Sequence, residues 1–176
     1  MFDPTAYENF KVILEGSIYE HDFTGDIKVI DRSETIDLSI LSRCFSMTFV
    51  KIGQEKVKGR VILHSSLADL ADEILEQDRM LPGAFIDIHF LYGSKEQETP
   101  KGLKQIRDCL LEVWGKERQV VITERRSFDG DTFSPYEYCA QLSFNRKISE
   151  GQSEDLYDLI TYCMKSLDRI YRSIKA

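Results

Sequence analysis

The segment from about Ser153 to Ile174 constrains the fold more than any other. Leu156, Leu159, Ile160, Cys163, Leu167, Ile170 and Ile174 recur at helical spacing and so share one apolar stripe. Glu154 and Asp155 open the segment, and Arg169, Arg172 and Lys175 close it, matching the sign of the helix macrodipole at each end. Such a stripe needs an apolar surface of comparable length to lie on. The spacing predicts the longest helix of the chain, lying across a sheet.

The rest of the chain supplies the strands for that sheet. Phe10, Val12, Leu14, Gly16 and Ile18 alternate with more polar residues, the period of a strand with one wet face, although Ile13 breaks the rule. Thr24-Gly25-Asp26 then reads as a hairpin turn into a short alternation at Ile27 and Val29. Cys44 to Ile52 and Val57 to His64 flank Gly53-Gln54-Glu55-Lys56 and form a second predicted hairpin. The link from Ser33 to Ser42 fits a short strand or a turn of helix. Phe85 to Tyr92, Arg118 to Arg125 and Tyr136 to Phe144 complete the strands.

Two further helices carry their own punctuation. Ser66 with Asp69 precedes Leu67, Leu70, Ala71, Ile74 and Leu75, and Arg79 to Gly83 ends that run. Thr99 is the expected N-cap of the next helix, with Pro100 at its first position and Gly115 just past its end. Leu103, Ile106, Leu110, Val113 and Trp114 form its stripe, with Lys101, Lys104 and Arg107 off it. The order ββββαβαββα mixes hairpins with helices. It implies an α+β domain, a mainly antiparallel or mixed sheet of six or seven strands with three helices on one face.

Length and composition place all of 1–176 in one globular domain. The 176 residues, 42% apolar and 30% charged, allow burial of about 70% of the unfolded chain's surface. Four prolines and ten glycines are too few and too scattered for a linker. MFDPTAYENF has acids where a secretory signal has bases, and no stretch has the apolar length of a membrane span, so the expectation is a cytoplasmic protein with no membrane partner. Cys44, Cys109, Cys139 and Cys163 form no CxxC pair and read as buried free thiols. Net charge is −7, with −8 in residues 1–99 and +1 in the remainder. That balance argues against nucleic acid as the main partner.

Catalytic and metal motifs are missing. His21, His64 and His89 have no partner at ligand spacing, so no metal site is expected. Asp129-Gly130-Asp131 resembles the start of a calcium loop, but Phe133 stands at its fifth position, where an acid or amide is required. There is no GxSxG elbow, P-loop or GxGxxG, and no cofactor is implied.

Three features carry candidate chemistry. Asp87 and His89 leave the same face of one strand, where a carboxylate beside an imidazole would raise the histidine pKa and tune a general acid or base. Arg125 and Arg126 could bind an anion, with Phe128, Phe133, Tyr136 and Tyr138 as an apolar wall, in what is first of all a hairpin loop. Tyr157, Tyr162 and Tyr171 lie on the last helix, the first two off its apolar stripe. Together these favour a non-enzymatic binding or adaptor module, engaging a protein or a small anionic ligand and able to form a homodimer. The alternative is a small enzyme with Asp87 and His89 as acid and base and Arg125 or Arg126 as anion holder.

Overall fold

The C-terminal stripe forms the longest helix, α4 (Asp155–Lys175), and it lies on a six-stranded sheet. The computed structural model describes residues 6–74 and 83–175. Its strands are β1 (Ile27–Asp37), β2 (Ser42–Lys51), β3 (Val57–Ser65), β4 (Phe85–Ser94), β5 (Gln119–Arg125) and β6 (Tyr136–Ser143). They lie in the order β1-β2-β3-β4-β6-β5, every neighbouring pair antiparallel. The other helices are α1 (Ala6–Thr24), α2 (Leu67–Ile74) and α3 (Pro100–Trp114), with a single 3-10 turn at Glu150–Gln152. The class is α+β.

The expectations for the N-terminal segment are overturned. Phe10 to Ile18 is not a strand but the middle of α1, whose buried residues are Ala6, Tyr7, Phe10, Leu14, Ser17 and Ile18. Phe10, Leu14 and Ile18 fit a two-residue and a helical period equally well, since each is four residues from the next. Tyr7 and Ser17 fit only the helix, and Val12, an inward position on the strand reading, is exposed. Thr24-Gly25-Asp26 therefore ends a helix rather than turning a hairpin: Gly25 has φ +82°, and Asp26 N–H donates to His21 O at 3.0 Å. The first hairpin is β1–β2, turning at Leu38–Leu41, so the Ser33 to Ser42 link is mostly strand. The observed order is αβββαβαββα, with four helices rather than three.

The remaining elements fall close to their signals. Thr99 Oγ1 accepts from Gly102 N–H at 3.1 Å, Pro100 opens α3, and Gly115 follows its last turn at φ +103°. Ser66 precedes α2, and its N–H and hydroxyl both donate to Asp69 at 2.7 Å. Leu75 and the stop signal from Arg79 to Pro82 lie outside the described residues. All four cysteines are free, but only Cys163 is buried; Cys44, Cys109 and Cys139 are partly exposed.

Helices α1, α4 and α3 form the layer on one face of the sheet, with α4 in the middle. Thus α1 takes the place expected for α2, which sits in the β3–β4 connection. Phe45, Phe49, Val61, Ile88, Phe90 and Leu142 meet Leu14, Ile106, Ile160, Leu167 and Ile170 in the core. Gly59 permits the close approach of this layer: a Cβ there would stand 3.0 Å from the Phe49 ring and 3.7 Å from Leu167. Polar ties fix the helices laterally. Ser17 Oγ donates to Tyr157 O at 3.3 Å, and Trp114 Nε1 donates to Ser166 Oγ at 2.8 Å. Lys51 and Gln54 both bind Asp168, holding α4 to the β2–β3 turn.

Candidate functional site

Strand alternation sends every second side chain to the face away from α1, α4 and α3. Asp31, Thr48, Arg60, His89, Gln141 and Val121 stand directly across from one another from β1 to β5. Ser33, Ser46, Ile62, Asp87, Ser143 and Gln119 form the next row. The face is polar, and most of its side chains in β2, β3, β4 and β6 are half-buried against each other. The first turn of α2 borders one end of it, beside Cys44, His64 and Phe85.

Asp87 and His89 do share this face, but they do not pair. His64 Nε2, across the β3–β4 ladder, lies 3.1 Å from Asp87 Oδ2, and the His64 ring stacks on Phe85. The hydrogen bond from His64 holds the Asp87 carboxyl below the usual range, with burial opposing and Ser143 assisting. Gln141 Nε2 lies 3.3 Å from His89 Nε2, a contact in which the amide donates when that ring nitrogen carries no proton. Burial pushes the His89 pKa down, Arg60 adds to the shift and Asp87 opposes it. The expected rise is thus reversed, because desolvation and a guanidinium outweigh a carboxylate already engaged elsewhere.

The bond order here does not suit nucleophilic catalysis. Ser143 and His64 both bind Asp87, so the carboxylate is the middle member. A hydroxyl nucleophile needs the imidazole in the middle, as its base. Burial also raises the thiol pKa values of Cys44 and Cys139, the reverse of what activates a thiolate.

A hollow of about 630 Å³ opens on the same face, toward the β2–β3 turn. Thr48 and Leu91 line its floor beside Gly93, which has no side chain to fill the space. Lys56, Lys58 and Arg60 stand on one side, with Asp31 and Glu137 on the rim. Arg60 Nε donates to Thr48 Oγ1 at 2.8 Å, which fixes its guanidinium over the floor. Among the described residues Lys56 and Lys58 have no ion-pair partner. The alternation Lys58, Arg60, Ile62, His64 along β3 is the sequence signal that places these groups on one face.

The Arg125 to Tyr136 loop is a hairpin connection, as its Asp-Gly pair implies. Asp129 Oδ1 accepts from Asp131 N–H at 3.0 Å and Thr132 N–H at 2.8 Å, and Gly130 has φ +108°. Phe128 and Phe133 bridge across it with ring centroids 4.8 Å apart. Arg126 is absorbed by the loop: it donates to Ser134 O and Tyr136 Oη, both at 3.0 Å, and lies 4.4 Å from the rings of Phe133 and Tyr136. Arg126, Phe128 and Tyr136 therefore belong to one cluster. Arg125 points elsewhere, standing across from Glu137 on the open face. His89 is two rows, or about 13 Å, from the Gly93–Glu137–Arg125 row by strand geometry, so histidine and arginines do not surround one reacting centre.

Among the described residues, no three His, Cys, Asp or Glu side chains gather as metal ligands, and no helix is long and apolar enough to cross a membrane. Comparison with known proteins adds no relative: no family model matches the sequence, and no curated protein or solved structure matches it significantly.

Proposed function

We propose that this chain is a non-enzymatic binding module whose sheet face opposite α1, α3 and α4 receives an anionic partner, either an acidic segment of another protein or a small anion. The observation that carries the reading is the clustering of Lys56, Lys58 and Arg60 around one hollow in a chain of net charge −7. Two ammonium groups without an ion-pair partner among the described residues and an oriented guanidinium supply hydrogen-bond donors for carboxylate or phosphate oxygens. Thr48 adds a hydroxyl and Leu91 an apolar patch. A second copy of the chain is a further partner, and the β1–β2 turn supports that reading with exposed Ile36, Leu38, Ile40 and Leu41.

The test is polarisation of a fluorescein-labelled hexaglutamate peptide, with inorganic phosphate as competitor, in the wild type and in a Lys56→Glu, Lys58→Glu variant. The expected outcome is saturable, salt-sensitive binding that the variant weakens at least about ten-fold, two reversed charges each contributing about 1 kcal/mol or somewhat less. Competition by phosphate assigns the site to small anions, and its failure to compete assigns it to the acidic segment. Equal binding by the two proteins, or none at low salt, refutes the proposal.

A further inference from the structure

A second cavity lies on the helix side, independent of the open face. It is a cleft of about 320 Å³ between the end of α3, the first turns of α4 and the segment joining β6 to the 3-10 turn. This is the small end of the range for ligand pockets, suited to a molecule the size of a single amino acid.

Its walls are aromatic and held in place. Trp114 meets Phe144 edge-on at 5.7 Å and Tyr162 at 5.5 Å, while its indole N–H donates to Ser166. Ile86, Leu156 and Leu159 supply apolar lining behind them. Tyr162, one of the tyrosines off the α4 stripe, thereby faces a cavity.

Charges of both signs stand around this apolar interior. Arg118 lies 4.9 Å over the Phe144 ring, donates to Trp114 O at 3.3 Å and pairs with Glu117 at 3.5 Å, while terminal N–H groups of Arg146 donate to the Gln152 side-chain oxygen, at 2.9 and 3.2 Å. The contact to Gln152 leaves the Arg146 guanidinium charge uncompensated, whereas Arg118 is paired with Glu117. Asp155 and Asp158, three residues apart on α4, are exposed and have no ion-pair partner among the described residues. A simple anion entering the cleft would face two carboxylates, and a simple cation the Arg146 guanidinium. A molecule carrying both charges at one end and a flat apolar group at the other satisfies all three features.

The geometry points to a site for a free α-amino acid with an aromatic side chain, its ring against Trp114, Phe144 and Tyr162, its carboxylate toward Arg146 and its ammonium toward Asp158. A peptide terminus lacks one of the two charges on that carbon, so the assignment is to the free amino acid.

Trp114 is the only tryptophan of the chain and reports on the cleft directly. The experiment titrates the intact protein with L-phenylalanine, N-acetylphenylalanine and phenylalaninamide, following Trp114 emission and the indole N–H resonance. L-phenylalanine is expected to shift both signals saturably, and each analogue to bind at least about ten-fold more weakly, as loss of one charge-assisted hydrogen bond requires. Asp158→Asn should abolish the preference over the N-acetyl compound, and Arg146→Gln the preference over the amide. Both substitutions are at the cleft mouth, and circular dichroism checks that each variant is folded. No shift of either signal, or equal binding of all three compounds, overturns the assignment.

Discussion

At His89 the surroundings select a neutral imidazole. Burial depresses its pKa in the folded chain, Arg60 works in the same direction, and Asp87 only partly offsets them. The unfolded chain therefore takes up the proton first as pH falls. The stability linked to this group is complete above the ordinary histidine value of about 6.5 and is lost as pH falls from there through the lower folded value. Asp87 also has a depressed pKa, because of its bond to His64, but its loss belongs to the range below about 3.9. His89→Gln removes the titration while leaving an acceptor for Gln141. Urea midpoints measured between pH 7 and 5 should then fall less steeply than in the wild type, by up to one proton's worth of slope. An unchanged slope would mean that His89 takes up its proton equally in the folded and the unfolded chain, so that its surroundings do not disfavour the charged form.

At the scale of single elements, α2 depends on one buried carboxylate. Asp69 is 3% exposed and accepts from Ser66 N–H and Oγ while pairing with Lys147, which comes from the segment after β6. Burial alone would raise its pKa, but Lys147 and the Ser66 donors outweigh that and hold it below the usual range. The aspartate thus caps α2 and ties the β3–β4 connection to the far end of the chain. Asp69→Asn should cost about 2 kcal/mol, measured by urea unfolding, because a cap and a largely buried charge pair weaken together. Adding Lys147→Met should cost less than the sum of the two single changes, and strict additivity would show that the pair is not coupled. The Ser66/Asp69 half of this cap could be read from the sequence, as could Thr99, Pro100 and Gly115 around α3, because capping is a matter of neighbours a few residues apart. Helix α1 was not legible from Phe10, Leu14 and Ile18, which satisfy both periods. The His64–Asp87 pair and the Lys56–Lys58–Arg60 hollow were illegible for a different reason. They depend on which strands lie side by side and in what register, and no local spacing carries that information. The Asp129-Gly130 turn is legible in the sequence, whereas the wrapping of Arg126 by Phe133 and Tyr136 depends on how the loop closes on itself.

The whole molecule presents two kinds of surface to a partner, and they predict different assemblies. Strand β1 forms one edge of the sheet, but its pairing with β2 is irregular between Val29 and Asp31, and its Arg32 and Glu34 are tied to Glu15 and Lys11 of α1. An irregular, charged edge is a poor template for strand addition from a second copy. The turn beyond that edge is the opposite: Leu38 is 80% exposed, with Ile36, Ile40 and Leu41 also exposed beside it. The proposed dimer is therefore assigned to this apolar tip rather than to the β1 edge, and its strength should follow apolar area rather than salt. Sedimentation velocity over a dilution series should show a concentration-dependent dimer that persists at high salt, and Leu38→Asp with Ile40→Asp should leave only monomer. The Lys56→Glu, Lys58→Glu variant should dimerise like the wild type, since the hollow and the tip are separate surfaces. If the wild type sediments as a monomer at every concentration, the dimer is removed from the proposal and the anion-binding face stands or falls on the peptide titration alone.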